Sequence, residues 1–225
     1  MTPLLVLRPE PGAAVTVANA IAAGWHPIAA PLFTVVATDW DAPDGAAHDA
    51  LMLTSAQAVR HAGAALDAYR GLPVYAVGEA TGIAAMEAGF ADVRMGSADA
   101  ALLVTMMVRD GVQHPLHLAG REHRILDAAP IPIARRIVYA ADPVDELPPA
   151  ARAAVERDAV ALLHSQRASA VFADLLIRAG LDPANVRVAA ISGAAGAGPW
   201  RHVKIADTPS DSALLAAAAR LCEKD

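Results

Sequence analysis

Short apolar runs closed by Pro, Gly or Ser alternate along the chain with longer stretches whose apolar residues recur every three or four positions. The short runs read as buried strands and the longer stretches as helices. Residues 4–7 predict a strand, closed by Arg8-Pro9 and Gly12, and 13–23 a helix stopped by Gly24. Residues 26–32 predict a second strand; 33–40 continue in β-rich sequence with no helix between, and a polar loop follows at 41–48. The pattern then runs strand 50–53, helix 56–69, strand 73–77, helix 81–88, a short strand at Val93 and helix 99–109. Next come strand 116–118, a short helix 121–128 and strand 135–140. After a proline-rich turn it gives helix 150–157, strand 159–163, helix 167–179, strand 186–191, a short Ala/Gly helix, strand 202–205 and helix 212–223. Strands and helices alternating at this length imply parallel sheets covered on both faces.

Inside this rhythm lies a repeat. The stretch 49–59, DALMLTSAQAV, is an apolar run ending in Ser55 and turning into a helix, and 158–171, DAVALLHSQRASAV, has the same grammar around Ser165. Asp49 and Asp158 are 109 residues apart, Ser55 and Ser165 are 110 apart, and the similar Asp99 and Asp211 segments are 112 apart. That spacing predicts two related α/β units. In each unit a second strand end, Gly78-Glu79 or Ser192-Gly193, follows the serine corner. The separation is longer in the second unit by a loop at 180–185. Where a strand turns into a helix, the first backbone N–H groups have no partner and the helix dipole favours an anion. Ligands of open α/β sheets lie beyond the carboxyl ends of the strands, so units facing each other would line one cleft with four anion-binding corners.

Composition narrows the classes. Of 225 residues, 55% are hydrophobic and 4% aromatic, so the core is built from small aliphatic groups. The net charge of −6, with no run of Lys and Arg, argues against general nucleic-acid or anionic-membrane binding. No apolar run is long enough to span a bilayer, and the N-terminus has no basic signal-peptide start. The single Cys222 cannot form an internal disulfide, which fits a reducing compartment; it reads as a helix-face residue.

Candidate chemistry is sparse. Ser55 and Ser165 lack a GxSxG elbow and a neighbouring base, so helix capping or donation to an anion is expected rather than nucleophilic attack. Gly78 allows close backbone approach, and Thr81 can cap the next helix or face an oxygen ligand. The eight histidines are scattered without a cysteine partner, so surface or boundary positions are expected rather than metal ligation. Arg8 follows the first strand, and Arg121 and Arg124 follow Gly120; each suits either a solvated salt bridge or a carboxylate ligand. Tyr139 either packs with its hydroxyl in water or stands in a cleft as a proton donor to a leaving group.

These residues together resemble the uroporphyrinogen-III synthase family. The likeness runs through Leu7-Arg8-Pro9, Leu53-Thr54-Ser55-Ala56-Gln57-Ala58-Val59, Val77-Gly78-Glu79-Ala80-Thr81 with Ala88-Gly89-Phe90, Leu118-Ala119-Gly120 with Arg124, Val138-Tyr139 and the second serine corner. It rests on their order and spacing. It implies an α/β protein of two similar flavodoxin-like lobes with parallel sheets, joined by a two-stranded antiparallel β linker. Residues 1–33 and 143–225 would form one lobe, 44–132 an inserted lobe, and 34–43 and 133–142 the linker, a hinge able to close on a ligand. The implied reaction closes hydroxymethylbilane, a linear tetrapyrrole, to uroporphyrinogen III with loss of water and inversion of the last ring. Tyr139 would assist departure of the hydroxyl. Arg8, Ser55, Ala56, Gly78, Thr81, Gly120, Arg124, Ser165, Ser192 and Gly193 would bind the substrate's carboxylates. The resemblance implies no metal or organic cofactor. The expected protein is a cytoplasmic monomer, with no nucleic-acid or membrane partner and with transient contact to neighbouring pathway enzymes. The chain departs from the pattern at Ala194 and Ala195, where a hydroxyl is common, and at His164, which replaces a small hydroxyl residue. Those departures keep a second reading in view: a two-lobed sensor that binds an anionic small molecule without chemistry.

Overall fold

A computed structural model describes residues 2–96, 99–123 and 129–222. The chain divides into two compact units, Met1–Thr34 with Asp142–Asp225, and Val35–Ala141. The expected helix at 121–128 falls largely outside the described residues.

The first unit is a five-stranded parallel sheet. Its strands are β1 (Leu4–Val6), β2 (Pro27–Ala29), β9 (Val160–Leu163), β10 (Arg187–Ala190) and β11 (His202–Ile205), in the spatial order β11-β10-β9-β1-β2. Counted along the chain this is 2-1-3-4-5, the flavodoxin order. The central strands β1, β9 and β10 are almost entirely buried, which is why they read as unbroken apolar runs. One apolar cluster joins Leu4, Val6, Val160 and Leu162 to Ala13 and Ala20 of α1 (Gly12–Ala22) and to Leu214, Leu215, Ala217 and Ala218 of α7 (Asp211–Arg220). The other helices are α5 (Pro149–Val155), which packs on β1 and β2, and α6 (Gln166–Arg178), which packs on β9.

The second sheet, built mainly from the second unit, consists of β3 (Phe33–Ala37), β4 (Ala50–Leu53), β5 (Val74–Val77), β6 (Val93–Gly96), β7 (Pro115–Gly120) and β8 (Ala134–Pro143) in the order β3-β8-β7-β4-β5-β6. The pairs from β8 to β6 are parallel. The strands expected as a linker, β3 and β8, are neighbours at one side of this sheet. On one face Leu51, Leu53, Leu116 and Leu118 meet Ala58 and Val59 of α2 (Ala56–His61) and Ala84 and Ala85 of α3 (Glu79–Glu87). On the other, Ala50, Met52 and Tyr75 meet Leu103, Val104 and Met107 of α4 (Ala100–Arg109).

The two sheets reveal what kind of repeat the 110-residue spacing is. If β4, β5 and β6 are matched to β9, β10 and β11, then β7 and β8 occupy the places that β1 and β2 hold in the first unit. The duplication is circularly permuted: the first unit takes its fourth and fifth positions from the start of the chain.

Two local expectations fail. The helix predicted at 56–69 is α2 followed by a 3-10 turn, Gly63–Tyr69. Gly63, at φ 69°, breaks it in a conformation that an L side chain resists. The predicted Ala/Gly helix after β10 is only a turn over 193–196. A methyl at Gly196 would lie 2.7 Å from Ile205 and 3.0 Å from Val203, so the backbone there is pressed onto the sheet rather than free to wind on.

Candidate active site

The carboxyl ends of the strands carry the expected corners. Ser55 caps α2, its hydroxyl accepting from the Gln57 N–H at 3.2 Å, and Ala56 is the first helical residue. Gly78, at φ 76°, caps α3, and its carbonyl accepts from Gly82 N–H. Thr81 is therefore not the cap: it lies within the first turn of α3 and is buried. The two Asp residues of the repeat sit at the opposite, amino ends of the strands. Asp49 accepts from the backbone N–H groups of Gln113 and His114, and Asp158, at φ 56°, pairs with Arg187 at 2.9 Å. Their echo is structural.

Tyr139 is half-buried on β8 at a slip in register. Ala119 pairs with Ile137, but Gly120 pairs with Tyr139, so β8 gains one residue there. A methyl at Gly120 would lie 2.6 Å from the Tyr139 ring and 2.8 Å from its hydroxyl oxygen. Gly120 is thus the floor on which the ring rests. The His61 ring stands 6.3 Å from it, centroid to centroid, with its pKa lowered by burial and by the charge of Arg60.

Beside Gly120 is a polar line that the sequence reading missed, because it expected surface or boundary histidines. His117, in the middle of β7, is 1% exposed. Its Nδ1 accepts from Arg135 Nε at 3.3 Å, and its Nε2 lies 3.1 Å from Thr54 Oγ1. Arg135 is its register partner on β8, and Thr54 stands two residues beyond its partner Met52 on β4. Burial, then the charges of Arg135 and His123, push the imidazole down to about 3. His123 bonds the Gly120 carbonyl at 2.9 Å through Nδ1. The only visible signal was one polar residue inside the apolar run Leu116-His117-Leu118.

In the first unit Ser165 caps α6, accepting from Ala168 N–H at 3.1 Å, and Ser192 accepts from Ala195 N–H at 3.3 Å. Gly193 has open space where a Cβ would stand. Ser169 ties α6 to the following turn by donating to the Ala197 carbonyl and accepting from Trp200. Arg8 is folded back over the start of α1, where a methyl at Gly12 would collide with its guanidinium. The guanidinium donates to Thr16 at 3.3 Å and stands 3.6 Å from Asp211. Asp211 also accepts from Thr16 at 2.8 Å and from Asn19 at 3.3 Å, and meets His164 at 3.3 Å. The His164 hydrogen bond leads the causes that hold its carboxyl down to about 2. The cap of α7 is Ser210, not Asp211, so the true counterpart of the capping Asp99 is one residue earlier than the sequence echo implied. That shift frees Asp211 to gather Arg8, Thr16 and His164. Arg124 lies outside the described residues.

Each unit therefore presents capped strand ends that suit anionic groups, and Tyr139 supplies one tyrosine hydroxyl. No curated protein matches the chain. Among solved structures, a selenomethionine-substituted uroporphyrinogen III synthase from Thermus thermophilus is 16% identical, with all of both chains covered and a TM-score of 0.48. The wild-type form from the same organism is 16% identical, with 99% of this chain and 98% of that one covered and a TM-score of 0.44. A family model described as uroporphyrinogen-III synthase HemD matches residues 14–216. A match of that length, running through both units, makes the chain a member of the uroporphyrinogen-III synthase family, the cyclising lyases of tetrapyrrole synthesis.

Proposed function

We propose that the protein closes hydroxymethylbilane to uroporphyrinogen III, and that Tyr139 assists departure of the hydroxyl group. The observation that carries this reading is the family match over residues 14–216. The C–O bond of the hydroxymethyl group breaks as the oxygen takes a proton and leaves as water. The resulting delocalised cation is attacked by the last ring to give a spiro intermediate. The bond from the spiro carbon to the methylene bridge of the preceding ring then breaks, and the last ring turns round. Its unsubstituted α-carbon bonds to the freed bridge, and loss of the proton on that carbon restores its aromaticity. The net change is loss of one water. Little of the chemistry requires an external group, so the protein's work is to hold the chain folded and suppress closure without inversion.

Tyr139 suits the donor role because the register slip and Gly120 hold its ring against the last residue of β7. Ser55, Ala56, Gly78 and Thr81 in one unit, and Ser165, Ser192 and Gly193 in the other, bind carboxylates through hydroxyls and the N–H groups around the caps. Gly120 supports Tyr139, and Arg8 and Arg124 add cationic contacts. The protein works as a monomer in the reducing cytoplasm, handing a labile intermediate on through transient contact with pathway neighbours.

Incubation with hydroxymethylbilane, followed by oxidation and chromatography of the porphyrin isomers, tests the reaction. The type III isomer is expected. Type I alone, at the spontaneous rate, leaves only a module that binds anionic tetrapyrroles. Tyr139→Phe is expected to lower kcat by about 100-fold, the usual scale for a positioned proton donor, while product binding changes little. An equal loss of both would make Tyr139 a binding residue.

A further inference from the structure

The line through Arg135, His117 and Thr54 crosses three neighbouring strands, β8, β7 and β4. Its hydrogen bonds can run in only one direction. An arginine has no acceptor, so Arg135 must donate to His117 Nδ1. Nδ1 is then the bare nitrogen of a neutral imidazole, and the proton sits on Nε2. Nε2–H donates to Thr54 Oγ1, which leaves the threonine's own hydrogen for a further acceptor. Thr54 is half-buried at the carboxyl end of β4, immediately before the capping Ser55.

We propose that this relay polarises the Thr54 hydroxyl as a donor to a substrate carboxylate at the β4 corner, with Arg135 and His117 as the positioning residues behind it. Every donor points from the fixed positive charge of Arg135 toward the corner. Hydrogen bonds aligned in this way strengthen one another in a low-dielectric interior. The matched residue of the first unit is His164, whose Nε2 meets a carboxylate, so the equivalent corner there has no such relay. The donor therefore belongs to one corner rather than to both. The inference rests on the tetrapyrrole reading for its ligand and on this chain's own geometry for its direction.

Two measurements test it separately. The first is independent of turnover: 15N NMR of the His117 ring in the intact protein. A protonated Nε2 and a bare Nδ1 are expected, and the opposite tautomer overturns the relay. The second is steady-state kinetics with hydroxymethylbilane. Thr54→Val, which keeps shape and loses the hydroxyl, is expected to raise KM by about tenfold with kcat little changed, the scale of one hydrogen bond to a charged group. Thr54→Ser is expected to restore KM. His117→Leu should reproduce the Thr54→Val effect, and His117→Gln, whose amide can donate to Thr54, should recover most of it. An unchanged KM in Thr54→Val, in a protein whose wild type forms the type III isomer, overturns the inference and leaves the reaction assignment standing. A wild type that forms no type III isomer overturns the reaction assignment; binding of the tetrapyrrole product to Thr54→Val then decides the relay, with unchanged affinity against it.

Discussion

At the residue scale the clearest dependence is that of Tyr139 on Gly120. The missing side chain makes the space, because nothing in the Gly120 backbone demands glycine and the three nearest atoms to an added methyl all belong to the tyrosine. Gly120→Ala should therefore destabilise the protein by about 1–3 kcal/mol, the range for overfilling a packed site, and should lower turnover by displacing the hydroxyl. Urea denaturation measures the first effect. Repeating it in a Tyr139→Leu background separates ring contact from backbone strain: the penalty should shrink markedly, and a penalty of equal size would place its origin in the backbone. Arg8 teaches a different lesson. Its position after a strand suited either a salt bridge or a carboxylate ligand, and Asp211 stands beside it. A substrate carboxylate would share Arg8 with Asp211. The ion pair is 3.6 Å long and Arg8 is about one-third exposed, so little stability would be lost if Arg8 turned outward.

At the element scale the capping serines carry a structural role and a proposed binding role, and the two can be parted. Ser165 satisfies a backbone donor of the 13-residue α6, and its loss in Ser165→Ala should cost about 1 kcal/mol, read as a lower denaturation midpoint. Ser165→Asp retains the cap and suits the helix dipole, but places a negative charge where a carboxylate of the substrate is proposed to bind. Stability near that of wild type together with a raised KM is the expected result. An unchanged KM would make Ser165 a cap alone. The elements themselves were largely legible in the pattern of apolar positions, since strands covered on both faces must be apolar throughout. The exceptions were the break after α2 and the turn after β10, where glycines answer to backbone geometry and close packing rather than to periodicity.

At the scale of the whole molecule, the buried polar groups set the response to acid. His117 in the folded protein titrates near 3, whereas a free imidazole titrates near 6.5. Between those values the unfolded chain binds a proton that the folded chain refuses, so stability falls as pH drops through this window, by about 1.4 kcal/mol per pH unit. Asp211 acts lower down: its stabilisation is complete above 3.8 and is lost as pH falls toward 2. Urea denaturation at pH values from about 6.5 to about 4.5, inside the His117 window, should show the decline, and His117→Gln should flatten it; an unaltered slope would assign the acid sensitivity elsewhere. The sequence alone determined the succession of strands and helices, the two serine corners and the repeat near 110 residues, because each depends on neighbours within a turn or a few residues. It could not determine which strands lie side by side. Tertiary structure decided that β1 and β2 complete the sheet of β9, β10 and β11, bringing Thr16 to Asp211 across 195 residues. It also decided that Arg135, His117 and Thr54 share one face of three strands. Strand order and register are set by burial of whole apolar faces, and that sum runs over parts of the chain that local periodicity never compares.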